Sequence, residues 1–343
     1  MIVRARAPLR LGFAGGGTDL SPYCDRFGGV VLNATIDMYA YSHIEPREDG
    51  ILRFVAADRE SVHEGRPEDA AGIGAGDPLA LHKAVYRRVV RDFCGGKPFG
   101  ATVTTYADVP PGSGLGSSST VVVSMLEAYK ELLGLPMGEY DVAHLAWEIE
   151  RIDLGLSGGK QDQYAATFGG FNFMEFYDGA RVIVNPLRIN QSILRELEAS
   201  LVLYYTGVSR ESANIIDQQV AAVKTEKAES IEAMHQLKRD AVAMKEALLR
   251  GNVREVARIL GSSWESKKRT AAKISSSAID AVYQTALAAG AYGGKVSGAG
   301  GGGFVMFLVD PVRRPELMRA LNACEGTAML CQFSEGGAAA WRG

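Results

Sequence analysis

Residues 110–120, "PPGSGLGSSST", set Gly112, Gly114 and Gly116 among Ser113, Ser117, Ser118, Ser119 and Thr120, directly before an apolar run. The flanking pattern predicts strand, glycine-rich loop, helix start, an order that suits an anion. The first N–H groups of a helix lack internal partners, and the helix N-terminus carries partial positive charge. Glycines let successive amides converge on a phosphate and let it come close. The hydroxyls add donors or a metal ligand. Spacing excludes two common phosphate loops: no Lys completes G-x-x-x-x-G-K-[ST], and the glycines run G-x-G-x-G rather than G-x-G-x-x-G. Taken alone, the loop is as well explained by a Ser/Gly turn capping a core helix. Two further glycine segments shift that balance. They are "PLRLGFAGGGTDL" (8–20), carrying Arg10 and Asp19, and "GGKVSGAGGGGF" (293–304). Such loops read best as parts of one cleft for a nucleotide and a second substrate.

The elements that must position these loops follow from periodicity. Strands are expected over 1–13, 28–36, 39–45, 51–58 and 101–109, the last rich in β-branched residues. A helix over 78–93 starts with Pro78 in its first turn. After the serines, Val122, Met125, Leu126, Tyr129, Leu132 and Leu133 recur at helical spacing until Gly134 and Pro136. A second helix covers 139–151, and "FNFMEF" and "RVIVNPL" form a strand pair around the turn "YDGA". Residues 211–249 contain no Pro or Gly and predict one long helix. Helices at 253–260 and 276–290, a strand from 304, a helix over 313–324 and a final strand complete the chain. This alternation argues an α/β or α+β architecture, with a domain boundary around 185–195.

Composition narrows the function class. The chain has 343 residues, 47% hydrophobic and 22% charged, with net charge −3. Without a basic block, no nucleic-acid partner is indicated. No apolar run approaches the roughly eighteen residues of a spanning helix, and the N-terminus lacks a signal-peptide pattern. Cys24, Cys94, Cys324 and Cys331 show no paired spacing, which suits free thiols in a reducing cytoplasm.

The three glycine segments, in this order and at this separation, resemble the motifs of the GHMP small-molecule kinases, the group of galactokinase, homoserine kinase, mevalonate kinase and phosphomevalonate kinase. The resemblance runs from residue 4 to about 310. Within it, "RLGFAGGGTDLSPYCDRFGGVVLNATID" (10–37), "YTGVSRESANII" (205–216) and "SWESKK" (263–268) are similar to the branch acting on heptose phosphates. The resemblance implies a two-domain α/β (α+β) fold, with a ribosomal-protein-like N-terminal domain over 1–190 and a ferredoxin-like C-terminal domain over 191–343. It implies transfer of the ATP γ-phosphate to the anomeric hydroxyl of D-glycero-D-manno-heptose 7-phosphate, yielding the 1,7-bisphosphate for nucleotide-activated heptose and surface glycans. Another sugar such as L-fucose, or a catalytically silent sugar and nucleotide sensor, are the competing readings. A homodimer stays open.

Residue roles carry over with the motifs. Pro111, Gly112, Ser113, Gly114, Leu115, Gly116, Ser117, Ser118 and Ser119 would hold ATP. Ser118 and Glu150 would meet Mg²⁺, with Glu148 as the alternate. Asp162, in "SGGKQDQYAATFGG", takes the position of the base, and Arg10 that of the cation beside it. Gly16, Gly17, Thr18 and Asp19 would face the sugar, Asp19 being read equally well as a cap or Asx turn. Gly300, within Gly298–Gly303 of the third motif, would back onto the same site. For the phosphate on the acceptor, the candidates are Lys160, Ser209 with Arg210, and Lys267 with Lys268.

Overall fold

The computed structural model describes the chain except residues 75, 209–212 and 272–273. The first sheet starts with β1 (Val3–Ala14). Its opening alternation buries Val3, Ala5 and Ala7 and turns Arg4 and Arg6 outward, as a half-buried strand requires. From Ala7 both faces are buried, because helices of the second layer pack on the far side. A short α1 (Tyr23–Phe27) leads to β2 (Gly29–Pro46), followed by β3 (Leu52–Ala56), β4 (Ser61–Gly65), α2 (Ala80–Phe93), β5 (Ala101–Ala107) and α3 (Ser117–Leu133). Then come α4 (Glu139–Glu148), α5 (Gln161–Phe168), β6 (Phe171–Phe176) and β7 (Val182–Pro186). The second part holds α6 (Gln191–Ser200), β8 (Leu201–Tyr205), α7 (Ala213–Lys224), α8 (Ala228–Leu249), α9 (Val253–Lys268), α10 (Ser277–Ala288), β9 (Ala291–Val296), β10 (Phe304–Val309), α11 (Arg314–Asn322), β11 (Thr327–Met329) and β12 (Ala339–Arg342).

In the first sheet the strands run β12-β1-β2-β5-β3-β4, with β6 on the N-terminal half of β2 and β7 on β6. Only β3 and β5 are parallel, and α2 lies in their crossover. Val85 and Val89 of α2, with Val122, Met125 and Tyr129 of α3, pack on Leu52, Phe54 and Val103. The second sheet runs β11-β8-β10-β9, antiparallel throughout. Counted in chain order within that sheet this is 4-1-3-2, with helices after its first and third strands, which is the expected ferredoxin-like arrangement.

Several boundaries differ from the sequence pattern. The two strands expected at 28–36 and 39–45 are one strand, whose mismatch with β1 is absorbed by a register shift between Pro8 and Arg10. The expected helix over 211–249 is two, α7 and α8, parted where Glu226 takes a left-handed φ of 54°. Neither α6 nor β8 was signalled: β8 is buried on both faces, so it shows no alternation. Most consequentially, β12 pairs with β1 and Phe333 bridges to Ile36. The chain's last segment therefore belongs to the first sheet, and 191–343 is not one continuous domain. Among the described residues, no helix is long and apolar enough to cross a membrane. The four cysteines are free thiols, as expected.

Candidate active site

The loop 110–116 delivers the N-terminus of α3 into a cleft of about 250 Å³ between the two sheets' helices. Gly112, Gly114 and Gly116 all have left-handed φ. A Cβ on Gly116 would sit 3.2 Å from Asp162 Cγ, so only glycine lets this turn approach that carboxylate without displacement. The first internal bond of the helix runs from Thr120 N–H to the Gly116 carbonyl (3.0 Å). The amides of Ser117, Ser118 and Ser119 precede it, at the positive end of a 17-residue helix.

The third motif locks onto this loop by backbone contact. A Cβ on Gly114 would lie 2.6 Å from the Ser297 carbonyl oxygen, and one on Gly298 would lie 2.6 Å from that of Gly114. Phe304 N–H donates to Ser113 O at 3.0 Å. The first motif joins through Arg10, which leaves β1 and is almost wholly buried. Its Nε and Nη2 both reach Asp162 Oδ1, at 2.8 and 2.7 Å. Its Nη1 donates to Gly114 O (2.7 Å) and Ser297 Oγ (3.3 Å). One guanidinium thus holds all three motifs and the proposed base. Asp162 lies in the first turn of α5 with its side chain 24% exposed, and its second oxygen lies 3.4 Å from where a Gly116 Cβ would stand.

Asp19 supports the same helix from beneath. Its Oδ2 accepts from the amides of Lys160 (3.0 Å) and Gln161 (3.1 Å), and its Oδ1 from Gly17 N–H and Gln161 Nε2, both at 3.1 Å. These four bonds saturate a carboxylate. Asp19 lines the cleft, but its acceptor capacity is committed to positioning α5, the capping role that the sequence left open. A Cβ on Gly159 would fall 1.9 Å from Asp19 Oδ2, and one on Gly158 2.3 Å from Arg151 Cζ, which accounts for the glycine pair in this loop.

Glu150 sits in a π-helical turn, Ile149–Asp153, that follows α4. The wider turn, a frequent mark of functional sites, separates it from Glu148, so the helix expected over 139–151 ends early. Glu148 pairs with Arg88 and turns from the cleft. Glu150 is 1% exposed and lines the cleft, accepting from Gln163 Nε2, which also donates to Ser119 Oγ at 3.1 Å. Among the described residues its one ion-pair partner is Arg151, 3.9 Å away. A buried carboxylate with so few protein partners, beside serine hydroxyls, is hard-oxygen chemistry that fits Mg²⁺. That ion characteristically takes one or two carboxylates and completes its shell with phosphates and water.

Other expected residues fall elsewhere. Gly112, Gly114, Gly116, Ser117, Ser118 and Ser119 line the cleft, whereas Ser113 and Leu115 are buried behind it. Pro111 is also absent from its walls. Gly17 lines it; Gly16 contributes its carbonyl to Lys267. Thr18 is fully buried, its hydroxyl oxygen 2.8 Å from the carbonyls of both Gly15 and Val30, which share its one proton, so it closes a turn and is absent from the cleft walls. Gly300 packs against Ile274, and the third motif reaches the cleft through Gly298 and Ala299. Lys160 directs its Nζ to the carbonyls of Tyr177 and Gly179, away from the cleft. Of the lysine pair, Lys268 pairs with Glu265 at 2.7 Å, and Lys267 enters the cleft. Ser209 and Arg210 lie outside the described residues. Sequence reasoning missed Arg151, which donates to the carbonyls of Leu156, Ser157 and Gly159, and Gln161, which lines the cleft beside Asp162.

A helix N-terminus with free amides, an Arg-held carboxylate and a buried carboxylate beside serine hydroxyls meet in one cleft of this two-sheet fold, an arrangement suited to phosphoryl transfer. The comparisons agree: residues 80–170 match the GHMP kinases N-terminal domain and residues 244–325 the GHMP kinases C-terminal region. Over 340 residues, 99% of both chains, the protein is 49% identical to a D-glycero-alpha-D-manno-heptose 7-phosphate kinase of Campylobacter jejuni. A crystal structure of a D-glycero-D-manno-heptose 1-phosphate kinase from Bacteroides thetaiotaomicron superposes with TM-score 0.84 at 47% identity, covering 99% of each chain. A putative sugar kinase from Campylobacter jejuni gives 0.81 at 48% identity, with 99% of this chain and 98% of that one covered. The chain belongs to the GHMP kinases.

Proposed function

We propose that the protein transfers the γ-phosphoryl group of ATP to the anomeric hydroxyl of D-glycero-D-manno-heptose 7-phosphate, in the cytoplasm, as a step toward nucleotide-activated heptose for surface glycans. The observation that carries the chemistry is the Arg10–Asp162 pair, with Nη2 to Oδ1 at 2.7 Å, set beside the amide-rich start of α3. The heptose assignment rests on the 49% identity over the full length of the named relative.

In this reading the amides of Ser117–Ser119 receive the phosphates. Glu150 and Ser118 would hold Mg²⁺, which supplies charge neutralisation to the phosphate oxygens when bound. The acceptor oxygen bonds to Pγ, the bond from Pγ to the β,γ-bridging oxygen breaks, and ADP leaves. Asp162 takes the hydroxyl proton on Oδ2, since Oδ1 is engaged by Arg10. Arg10 fixes that carboxylate and offsets charge developing on the transferred group.

The names of the two relatives place the acceptor's phosphate at different carbons, so the decisive experiment is an ADP-release assay over a panel. The panel holds heptose 7-phosphate, heptose 1-phosphate, free heptose and L-fucose, with ³¹P NMR of each product. Turnover with the 7-phosphate and a new anomeric phosphate are expected. Preference for heptose 1-phosphate or L-fucose would overturn the acceptor, and ATP binding without ADP release would favour a silent sensor.

A further inference from the structure

Lys267 is a buried cation with no ion-pair partner among the described residues. It projects from the last turn of α9, 3% exposed, into the wall of the cleft. Its Nζ donates to the Gly298 carbonyl at 2.7 Å and, more weakly, to the Gly16 carbonyl at 3.3 Å. Among the described residues these are its only hydrogen bonds, and it has no ion pair. An ammonium has three donors, so one remains. Burying a cation without a counter-charge is costly. Among the described residues, the charged groups that face it are Arg10 from β1, Asp19 from the first glycine turn, Asp162 from α5 and Lys295 from β9. Asp19 is saturated by α5 and Asp162 by Arg10 on one oxygen. Lys295 is itself buried and adds only repulsion, with its Nζ on the Gly12 carbonyl at 2.9 Å.

We propose that Lys267 is a second catalytic cation, meeting the phosphoryl group while it passes between the two substrates, with Arg10 also at that point. This rests on the kinase reading above. Lys267 moves no proton: the P–O bond to ADP breaks, that to the sugar forms, and the hydroxyl proton goes to Asp162. Its Nζ joins Gly16 of the first motif to Gly298 of the third, so it stands where acceptor and phosphate loop converge. On phosphate arrival the longer bond to Gly16 is the one exchanged. Burial also pushes its pKa down to about 8, so raising the pH through that value removes the charge.

The test compares wild type with Lys267→Met and Lys267→Arg. Met is expected to lower kcat about 100-fold or more, as removal of a transition-state donor does, with KM for each substrate within about fivefold. Wild-type kcat/KM should fall above about pH 8, and Lys267→Arg should move that limb upward. Stabilisation by ADP with aluminium fluoride, a planar stand-in for the phosphoryl group, should be lost in the Met variant. A kcat within fivefold of wild type, an alkaline limb unmoved in the Arg variant, or retained stabilisation would overturn the proposal. If wild type transfers to no sugar, the kinase reading fails, and the aluminium fluoride comparison still decides for or against Lys267. Should the Met variant not fold, the Arg variant's pH profile decides.

Discussion

Asp162 gives one carboxylate oxygen to Arg10 and leaves the other toward the cleft, so its amide isostere changes the chemistry more than the geometry. Asp162→Asn should lower kcat by about 10²–10⁴-fold, the range for a general base, while ATP affinity by calorimetry stays within about threefold. Near-normal turnover would refute its role. At the lysine pair the expectation splits: Lys268→Met, which removes a surface pair with Glu265 and a cation–π contact with Trp264 at 5.9 Å, should leave kcat/KM within about twofold. That distinction was legible in principle. Leu260, Ser263, Trp264 and Lys267 lie on one helical face and are all buried, which points Lys267 inward and Lys268 out. The role of Asp19 was not legible, because its partners are some 140 residues away, at Lys160 and Gln161.

Between elements, the glycines act as crossing points more than as flexible joints. Gly114→Ala would force a Cβ to 2.6 Å from the Ser297 carbonyl at a φ of +80°. The expected loss is about 2 kcal/mol or more, from backbone strain alone, read by urea denaturation. The motif and its spacing announced the loop; what it presses against lies in another domain and left no local signal. The break between α7 and α8 and the π turn at Glu150 were equally silent, since neither uses Gly or Pro. Between α2 and β5, His82 meets Thr105 Oγ1 at 2.8 Å, and burial holds its pKa down at about 4. The unfolded chain protonates this imidazole near pH 6.5, so stability falls as pH drops from about 6.5 to 4 and levels off below. The contribution is about 3 kcal/mol at most. Urea midpoints of His82→Gln measured across that window should show a shallower acid limb than wild type; identical limbs would assign the effect elsewhere.

For the whole molecule, element types and order were largely readable, and strand order was not. Periodicity located β1, α2, β5 and α3, and the three motifs marked which loops share a cleft. That β12 returns to β1 could not be read from four residues, Ala339–Arg342, of which only Ala340 is partly buried. The return is energetically substantive: Phe333 rings lie 4.6 Å from Phe171 and 6.2 Å from Phe13. Deleting residues 331–343 removes that packing, worth about 3–5 kcal/mol for a Phe, and uncovers the edge of β1. The melting temperature by circular dichroism should fall by about 5 °C, with aggregation of the truncated chain. An unchanged melt would show the return to be ornamental.

The mutual glycine contact at Gly114 and Gly298 carries a mechanical corollary. Because the second and third motifs are sewn together there, the two sheets cannot part like jaws at that edge. Any relative motion of the halves has to pivot about this seam, so the placing of the loop against the Arg10 guanidinium is kept while the rest of the cleft breathes.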